Sequence, residues 1–524
     1  MATPPGARAL VVSPHHLASE AGHRMLADGG NAVDAVVATG LALAVATPYH
    51  CGLGGDLVAQ VWDGAPTGVL SVGAAPAGAT PDAIRRAVES SESTGAPEPG
   101  TGGMPNRGAL AVTVPGAVAG WFHLLQRWGT RSFAAVSAPA LALARDGVEV
   151  SDHGAALARS GLAAFADDAA LVAAFGSMRA PGMFRQPALA ATLQRLADQG
   201  PDGFYRGEIA EHIVAALAPG GSTMTTDDLA AHVVEEVAPL RGAFRGLEVL
   251  QLPPPTQGVT ALTALGLLET LGPPPDDPAL AVHLEVEAVR AAMADRQEHL
   301  GDPTDREVGA PELLDGGRLR DLAANIDPDR AADWPPARPT PGGTAYLCAA
   351  DANGLAVSLS QSNFRGFGSG VMVGGAGFGL HNRGAHFTLV DGPGRIGPGR
   401  RPRHTLIPAM ALHDGAPRLL LGTMGGDAQP QIHVQLLTHL IDEGLDLDGA
   451  LDAPRFVVDV ADGSVSLEQR TPTGIVEGLR ARGHRLRTLP DRTAATGHAH
   501  LLALGPDGLA AATDPRTEGA VAGA

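Results

Sequence analysis

Lysine is absent from this 524-residue chain, so all 37 of its basic residues are arginine. That removes the phosphate-gripping lysine of P-loops, Schiff-base lysines and Ser-Lys dyads. Only two cysteines occur, Cys51 and Cys348, far apart and without metal-ligand spacing, so neither a disulfide framework nor a zinc site is indicated. Aromatic residues make up 4%. No apolar run reaches the roughly 18 residues of a membrane span, and the start, Met1-Ala-Thr-Pro-Pro-Gly-Ala-Arg8, lacks the pattern of a signal peptide. The expectation is a soluble, cytoplasmic protein. Against the 37 basic residues stand 56 acidic ones, and a formal charge of −19 repels nucleic acid and anionic membrane surfaces alike. Small molecules are the expected partners, with no nucleic acid and no membrane.

What the chain has is enough apolar material, 44%, to fill a large core. Residues 16–47 carry apolar positions at helical spacing broken by Gly29-Gly-Asn31, which predicts two helices and a tight turn. Cys51-Gly-Leu-Gly-Gly-Asp56 reads as a sharp turn into a strand near Leu57; it lacks the strand, glycine, helix order and the later acid of a dinucleotide loop. Helical patterns follow over 117–128, 133–145, 189–199, 209–217 and 281–299. A stretch rich in Ser, Gly, Pro and Glu from Arg85 to Asn106 predicts a surface loop, and Pro335 to Gly343 predicts an exposed tether, since its prolines fit neither helix nor central strand. There the period switches: Thr344 to Ala350, a turn at Asp351-Ala-Asn-Gly354, then Leu355 to Ser362 predict a hairpin. A proline-rich loop leading through Gly343 into a buried strand at Thr344 is what a self-cutting precursor needs.

Several motifs, in order along the chain, resemble the γ-glutamyltransferase family of N-terminal-nucleophile hydrolases. They are Gly29-Gly-Asn-Ala-Val-Asp-Ala35, Val114-Pro-Gly-Ala-Val-Ala-Gly120, Leu143-Ala-Arg-Asp-Gly147, Gly203-Phe-Tyr-Arg-Gly207, Pro253-Pro-Pro-Thr-Gln-Gly258, Ala294-Asp-Arg-Gln-Glu-His-Leu-Gly-Asp-Pro303 and Asp514-Pro-Arg516. The resemblance implies an α/β fold, an αββα sandwich, built from a large fragment (1–343, mostly helical with a sheet edge) and a small one (344–524) that together form one domain. It implies a zymogen cut between Gly343 and Thr344, with Thr344 as nucleophile, Ser362 as the hydroxyl beside it, and Gly425 and Gly426 as the oxyanion site. Thr344 is placed by its spacing to the 351–354 turn; Thr340 competes but lies inside the proline run. The freed α-amine, with a reference pKa of about 7.7–8.0, suits a general base, so no metal or organic cofactor is expected. The fragments are expected to stay associated, with a dimer of such pairs left open.

The family's grip on a glutamyl α-carbon is largely missing. Pro81 stands where the family has an arginine, Phe364 replaces an asparagine, His386 an aspartate, Arg383 a glutamine, and His404 and Thr405 a pair of serines. Arg85, Arg86 and Arg107 are the candidates to replace the lost carboxylate clamp. Phe364, Arg383, His386, His404 and Thr405 are therefore taken as substrate-binding residues for a glutaryl-like or other des-amino acyl amide, as in the cephalosporin-acylase branch; an apolar acyl pocket lined by Phe364 is the competing arrangement. Two other readings stay open: a true γ-glutamyl transpeptidase or glutathione hydrolase of glutathione metabolism, and an unprocessed, non-catalytic member.

Overall fold

A computed structural model of the chain describes residues 7–90, 102–305, 309–333, 342–506 and 508–524. Its centre is the strand Gly343–Ala350, whose eight residues are all buried. Side chains alternate across a strand. Ala345, Leu347 and Ala349 accordingly join a core formed with the helices His16–Ala27, Ala32–Ala46, Ala117–Trp128 and Phe133–Asp146. Tyr346, Cys348 and Ala350 point the other way, against Leu250, Met410, Leu420 and Leu502 of a second sheet. That sheet's far face packs under the helices Gly258–Leu271, Pro278–His299 and Ala428–Ile441. The layers thus run helix, sheet, sheet, helix: an αββα sandwich.

The first sheet has seven strands in the spatial order Ala520–Gly523, Leu10–Ser13, Gly343–Ala350, Ala356–Phe364, Asp56–Trp62, Pro66–Ser71, Glu235–Val237. The second has six: Gly508–Thr513, Ala499–Gly505, Ala416–Thr423, Ala409–His413, Leu247–Gln251, Leu240–Phe244. Segments from both sides of residue 343 contribute to both sheets. The sheets approach closely where Gly422 faces Tyr346: a Cβ on Gly422 would lie 2.2 Å from the ring, so only glycine fits.

The hairpin expected over 344–362 is present, pairing Ala350 with Ala356 through to Ala345 with Gln361, and Gly354 supplies the positive φ its turn needs. The two helices expected over 16–47 are present too; Asn31 caps the second, and Asp34 closes a capping box while accepting from Thr130 and Arg131. One expectation needs correction. The stretch beginning at Arg85 is not all loop: Pro81–Ser90 is a helix, started by the Thr80 hydroxyl accepting from Ala83 N–H and anchored by buried Ile84. Residues 91–101 of that predicted loop and 335–341 of the predicted tether lie outside the described residues, and the exposed tether does not extend to Gly343 as expected, since Gly342 is half-buried and Gly343 is the buried first residue of a strand. No helix among the described residues is long and apolar enough to cross a membrane.

Many histidines sit in this core. Burial pushes His404 and His500 down to about 4, and His433 and His498 down to about 3. The unfolded chain titrates near ~6.5, so below that pH it gains protons that the folded chain does not. Stability is therefore greatest above ~6.5 and falls as pH drops toward 4. Thermal melts should show Tm level from pH 8 to 7 and falling steadily from 6.5 to 5, with a shallower fall in His433→Gln. An unchanged Tm between pH 7 and 5 would contradict this account.

Candidate active site

Thr344 shares its side of the sheet with Tyr346 and Cys348, facing the second sheet, and is 1% exposed. Opposite it the partner strand changes register between Gln361 and Phe364. The extra residue drives Phe364 to a φ of 76°, a conformation costing about 1–3 kcal/mol for a bulky side chain, and something must hold it. Ser362 does: its Oγ accepts from Phe364 N–H at 2.7 Å and donates to the Gly343 carbonyl at 2.5 Å. The Thr344 hydroxyl points at the same Ser362 Oγ from 3.5 Å. The carbonyl preceding Thr344 and the threonine hydroxyl are thus gathered on one serine.

Gly425 and Gly426 close the site from the second sheet. With φ of 138° and 58° they link the strand ending at Thr423 to the helix beginning at Ala428. Gly426 lies against Gly342: a Cβ on Gly342 would come 3.0 Å from Gly426 Cα and 3.1 Å from its N. A helix N-terminus beside the peptide favours negative charge there. The loop is held from below. Gln257 donates to the carbonyls of Gly426 (2.8 Å) and Thr405 (3.1 Å), and fully buried Arg296 donates to Gln257 Oε1 and Asp427 Oδ1, each at 2.5 Å. Three motifs singled out in the sequence, 253–258, 294–303 and 422–426, therefore meet in one network. The closing Asp514-Pro-Arg516 serves the same loop indirectly: Asp514 pairs with Arg455, which donates to the carbonyls of Thr496 and Gly497 behind Met424.

A pocket of about 330 Å³ opens beside Gly342 and Gly343, with Tyr49, His50, Asn106, Arg107, Arg365 and Asn382 in its wall. Among the described residues the wall carries two arginines and no acid. Arg107, one of the candidates named from sequence, reaches it and lies over the Phe165 ring at 4.8 Å; Arg85 instead pairs with Asp82 and donates to Leu389 O, and neither it nor Arg86 lines the pocket. Sequence reasoning missed His50 and Arg365, since neither belongs to a recognised motif.

None of the five residues taken as substrate-binding lines this pocket. Phe364 bridges the two regions, because its backbone pairs with Gly343 while its ring covers Arg383 at 4.0 Å and His386 at 4.6 Å. Arg383 is 1% exposed. Its Nη1 donates to Thr405 Oγ1 at 3.1 Å, whereas Nε and Nη2 meet no acceptor among the described residues. Burial pulls it down to about 9, with Arg365 and Arg403 adding to the fall and Asp56 opposing it; the guanidinium remains charged at neutral pH. His386 donates through Nδ1 to Arg403 O at 2.7 Å. His404 is spoken for: its Nδ1 accepts from Leu406 N–H, so Nε2–H donates to Asp56 Oδ2 at 3.1 Å. Asp56 also accepts from Gly73 and Gly116, and its neighbours hold it down to about 2 against the cost of burial. The Gly-Gly-Asp and Val-Pro-Gly-Ala motifs are joined through this carboxylate.

Elsewhere, His283, Glu287 and His484 stand close enough to ligate a metal. Their atoms are engaged, however. His283 Nε2–H donates to Asp327 O, its Nδ1 meets His484 Nε2 at 2.8 Å, and Glu287 pairs with Arg290. None of the three lines the pocket at Gly343.

The Arg296 network sets the position of the Gly425–Gly426 loop. Removing one partner of a buried charge pair costs about 3–5 kcal/mol, so Arg296→Met should lower unfolding stability by that order, as measured by urea titration, by taking the buried cation from Asp427 and the donor from Gln257 Oε1. A loss under about 1 kcal/mol would show that the network is not structural.

Known proteins resemble the chain over nearly its whole length. The family profile described as gamma-glutamyltranspeptidase matches residues 18–524. The chain is 37% identical to the oxamate amidohydrolase proenzyme of Klebsiella pneumoniae subsp. pneumoniae, covering 98% of each. It is 34% identical to the acylase ACY 1 proenzyme of Pseudomonas sp. strain SE83, covering 96% of this chain and 91% of the relative. The crystal structure of cephalosporin acylase from Bacillus halodurans superposes with a TM-score of 0.91 at 33% identity, covering 100% of this chain and 96% of that one. With its motifs joined around one site and its fold matched end to end, the chain belongs to the gamma-glutamyltranspeptidase family.

Proposed function

We infer that the protein is a self-processing amidase or acyltransferase whose acyl donor carries a carboxylate and no amine beside it. In the first step the Thr344 hydroxyl attacks the Gly343 carbonyl carbon, the Gly343–Thr344 C–N bond breaks, and the hydroxyl proton passes to the departing nitrogen. The product is an ester. Water then hydrolyses it, leaving the Gly343 carboxylate and a Thr344 with free hydroxyl and α-amine. That amine serves as base when the same hydroxyl attacks a substrate amide, releasing an amine and forming an acyl-enzyme that water or a second amine resolves. Large and small fragments, 1–343 and 344–524, remain one αββα domain because each sheet interleaves strands from both. The Ser362 hydroxyl on the Gly343 carbonyl favours the first step, and the Gly425–Gly426 loop at a helix N-terminus suits the oxyanion of the second.

The observation that carries the donor's identity is Arg383. A buried guanidinium with two nitrogens lacking acceptors among the described residues, close enough to Arg365 and Arg403 to feel their charge, favours an anion. An acyl chain ending in a carboxylate, such as glutaryl, supplies one; a γ-glutamyl group adds an ammonium, which these arginines repel. Phe364 separates Gly343 from Arg383, placing the carboxylate some carbons beyond the attacked carbonyl. The oxamate named for one relative and the acylase activity named for another are likewise compatible with an acyl group that lacks an amine.

Two experiments test this. Thr344→Ala should run as one band on a denaturing gel and show no amidase activity, where wild type runs as two; residual activity above about a hundredth, against losses that reach ~10⁶ for a removed nucleophile, would refute the mechanism. For the donor, kcat/KM should be at least as high for a glutaryl anilide as for the γ-glutamyl anilide. A hundredfold preference for γ-glutamyl, about 2.7 kcal/mol, would show that the ammonium has a partner and return the protein to the transpeptidases.

A further inference from the structure

The ester formed during self-processing, Gly343–CO–O–Thr344, is chemically an acyl-enzyme whose acyl group is the large fragment. Atoms that contact Gly343 in the unbroken chain therefore mark where the first carbon of a substrate's acyl chain will lie. A substituent on the Gly343 α-carbon, in the position of an L side chain, would meet Tyr49 O at 3.2 Å, His50 Nδ1 at 3.3 Å and Gly366 N at 3.4 Å. These three nearest atoms are all polar, and no carbon is among them.

His50 is the informative one. It is 7% exposed, its Nδ1 is buried without a hydrogen-bond partner among the described residues, and it lines the pocket containing Gly342 and Gly343. Its ring is fixed edge-on by Tyr49 at 4.7 Å and His498 at 5.7 Å. Burial, with His498 and His153 adding to it, holds the imidazole down to about 3. It is thus a neutral ring that can present Nδ1–H to an oxygen. A buried donor aimed at a methylene stays unpaired, so between donors alike beyond the first acyl carbon an oxygen there is favoured over CH₂, an effect separate from any preference for a distal carboxylate.

We propose that His50 is a specificity-determining residue that, with Gly366 N–H, binds an oxygen on the carbon next to the attacked carbonyl, so that the preferred acyl donors are α-oxygenated amides. This rests on the acyl-enzyme assignment to Thr344 but not on the distal carboxylate. The shared chemistry, an α-oxygen, is found in an oxalyl group and in a 2-hydroxyacyl group.

The test compares 4-nitroanilides in two matched pairs, oxalyl against malonyl and lactoyl against propionyl. Each is assayed on wild type, His50→Leu and His50→Asn, whose side-chain amide restores a donor near the Nδ1 position. Dividing each wild-type kcat/KM by the variant's value cancels the intrinsic reactivity of the anilide. His50→Leu should lower at least one oxygenated donor tenfold or more while changing its CH₂ or CH₃CH₂ counterpart less than twofold, and His50→Asn should recover most of the loss. Which pair responds identifies the source of the oxygen. Equal losses in all four donors, or no loss in any, overturn the proposal. Each variant is first shown to yield the two fragments, which separates misfolding from altered specificity. A wild type that cleaves these anilides yet favours γ-glutamyl over glutaryl removes the distal-carboxylate reading alone.

Discussion

One hydroxyl, that of Ser362, holds together the geometry on which everything at this site depends. It accepts from Phe364 N–H and donates to the Gly343 carbonyl, so the strained backbone at Phe364 and the peptide before Thr344 are fixed by one side chain. The strain is local, but its maintenance is not. The strand bearing Ser362 is pinned by pairing with Asp56–Trp62 on one side and Gly343–Ala350 on the other, and both are buried between helices and the second sheet. A bulge at this place turns the Phe364 ring toward Arg383 while leaving its backbone beside Gly343. The same feature therefore joins the peptide before Thr344 to the surroundings of Arg383.

Electrostatics then divide the interior into two kinds of region. Around Asp56 the charges are compensated: a neutral His404 donates to the carboxylate, Gly73 and Gly116 add N–H groups, and the result is a fixed joint between the sheets. Around Arg383 the influences are opposed, with Arg365 and Arg403 disfavouring its charge and Asp56 favouring it. The first region is architecture. The second leaves two guanidinium nitrogens of Arg383 without acceptors among the described residues, which is why the donor's carboxylate is proposed there.

Much of the frame was legible in the sequence because it rests on local rules. The 3.6-residue period gave the helices over 117–128 and 133–145, and alternation with an Asn-Gly turn gave the hairpin from Thr344, one residue after its strand begins. The helices Gly258–Leu271 and Ala428–Ile441 were not singled out, for a physical reason: they are buried on nearly all sides, so apolar residues and engaged Gln side chains surround the axis and no polar face marks the period. Motifs signalled their importance but not their work. Asp34 proved to be a helix cap, and Gln257 and Arg296 a support for Gly426. The pocket wall was beyond sequence reasoning, because His50, Arg107 and Arg365 come from separate segments and only the closed fold brings them together. Arg383 was placed among the binding residues by resemblance; its unmet hydrogen-bonding capacity depends on what does not surround it, which no spacing can reveal.

The central claim is that the Thr344 hydroxyl acts first on its own chain and then on substrate, and intact-mass spectrometry of purified protein reads this directly. The account predicts two species, the smaller comprising residues 344–524 with threonine at its N-terminus, and, on acid quench during turnover, a fraction of that fragment heavier by the acyl group of the donor. A new N-terminus at any other residue, a single uncut chain that is fully active, or an acyl adduct on the large fragment would contradict it.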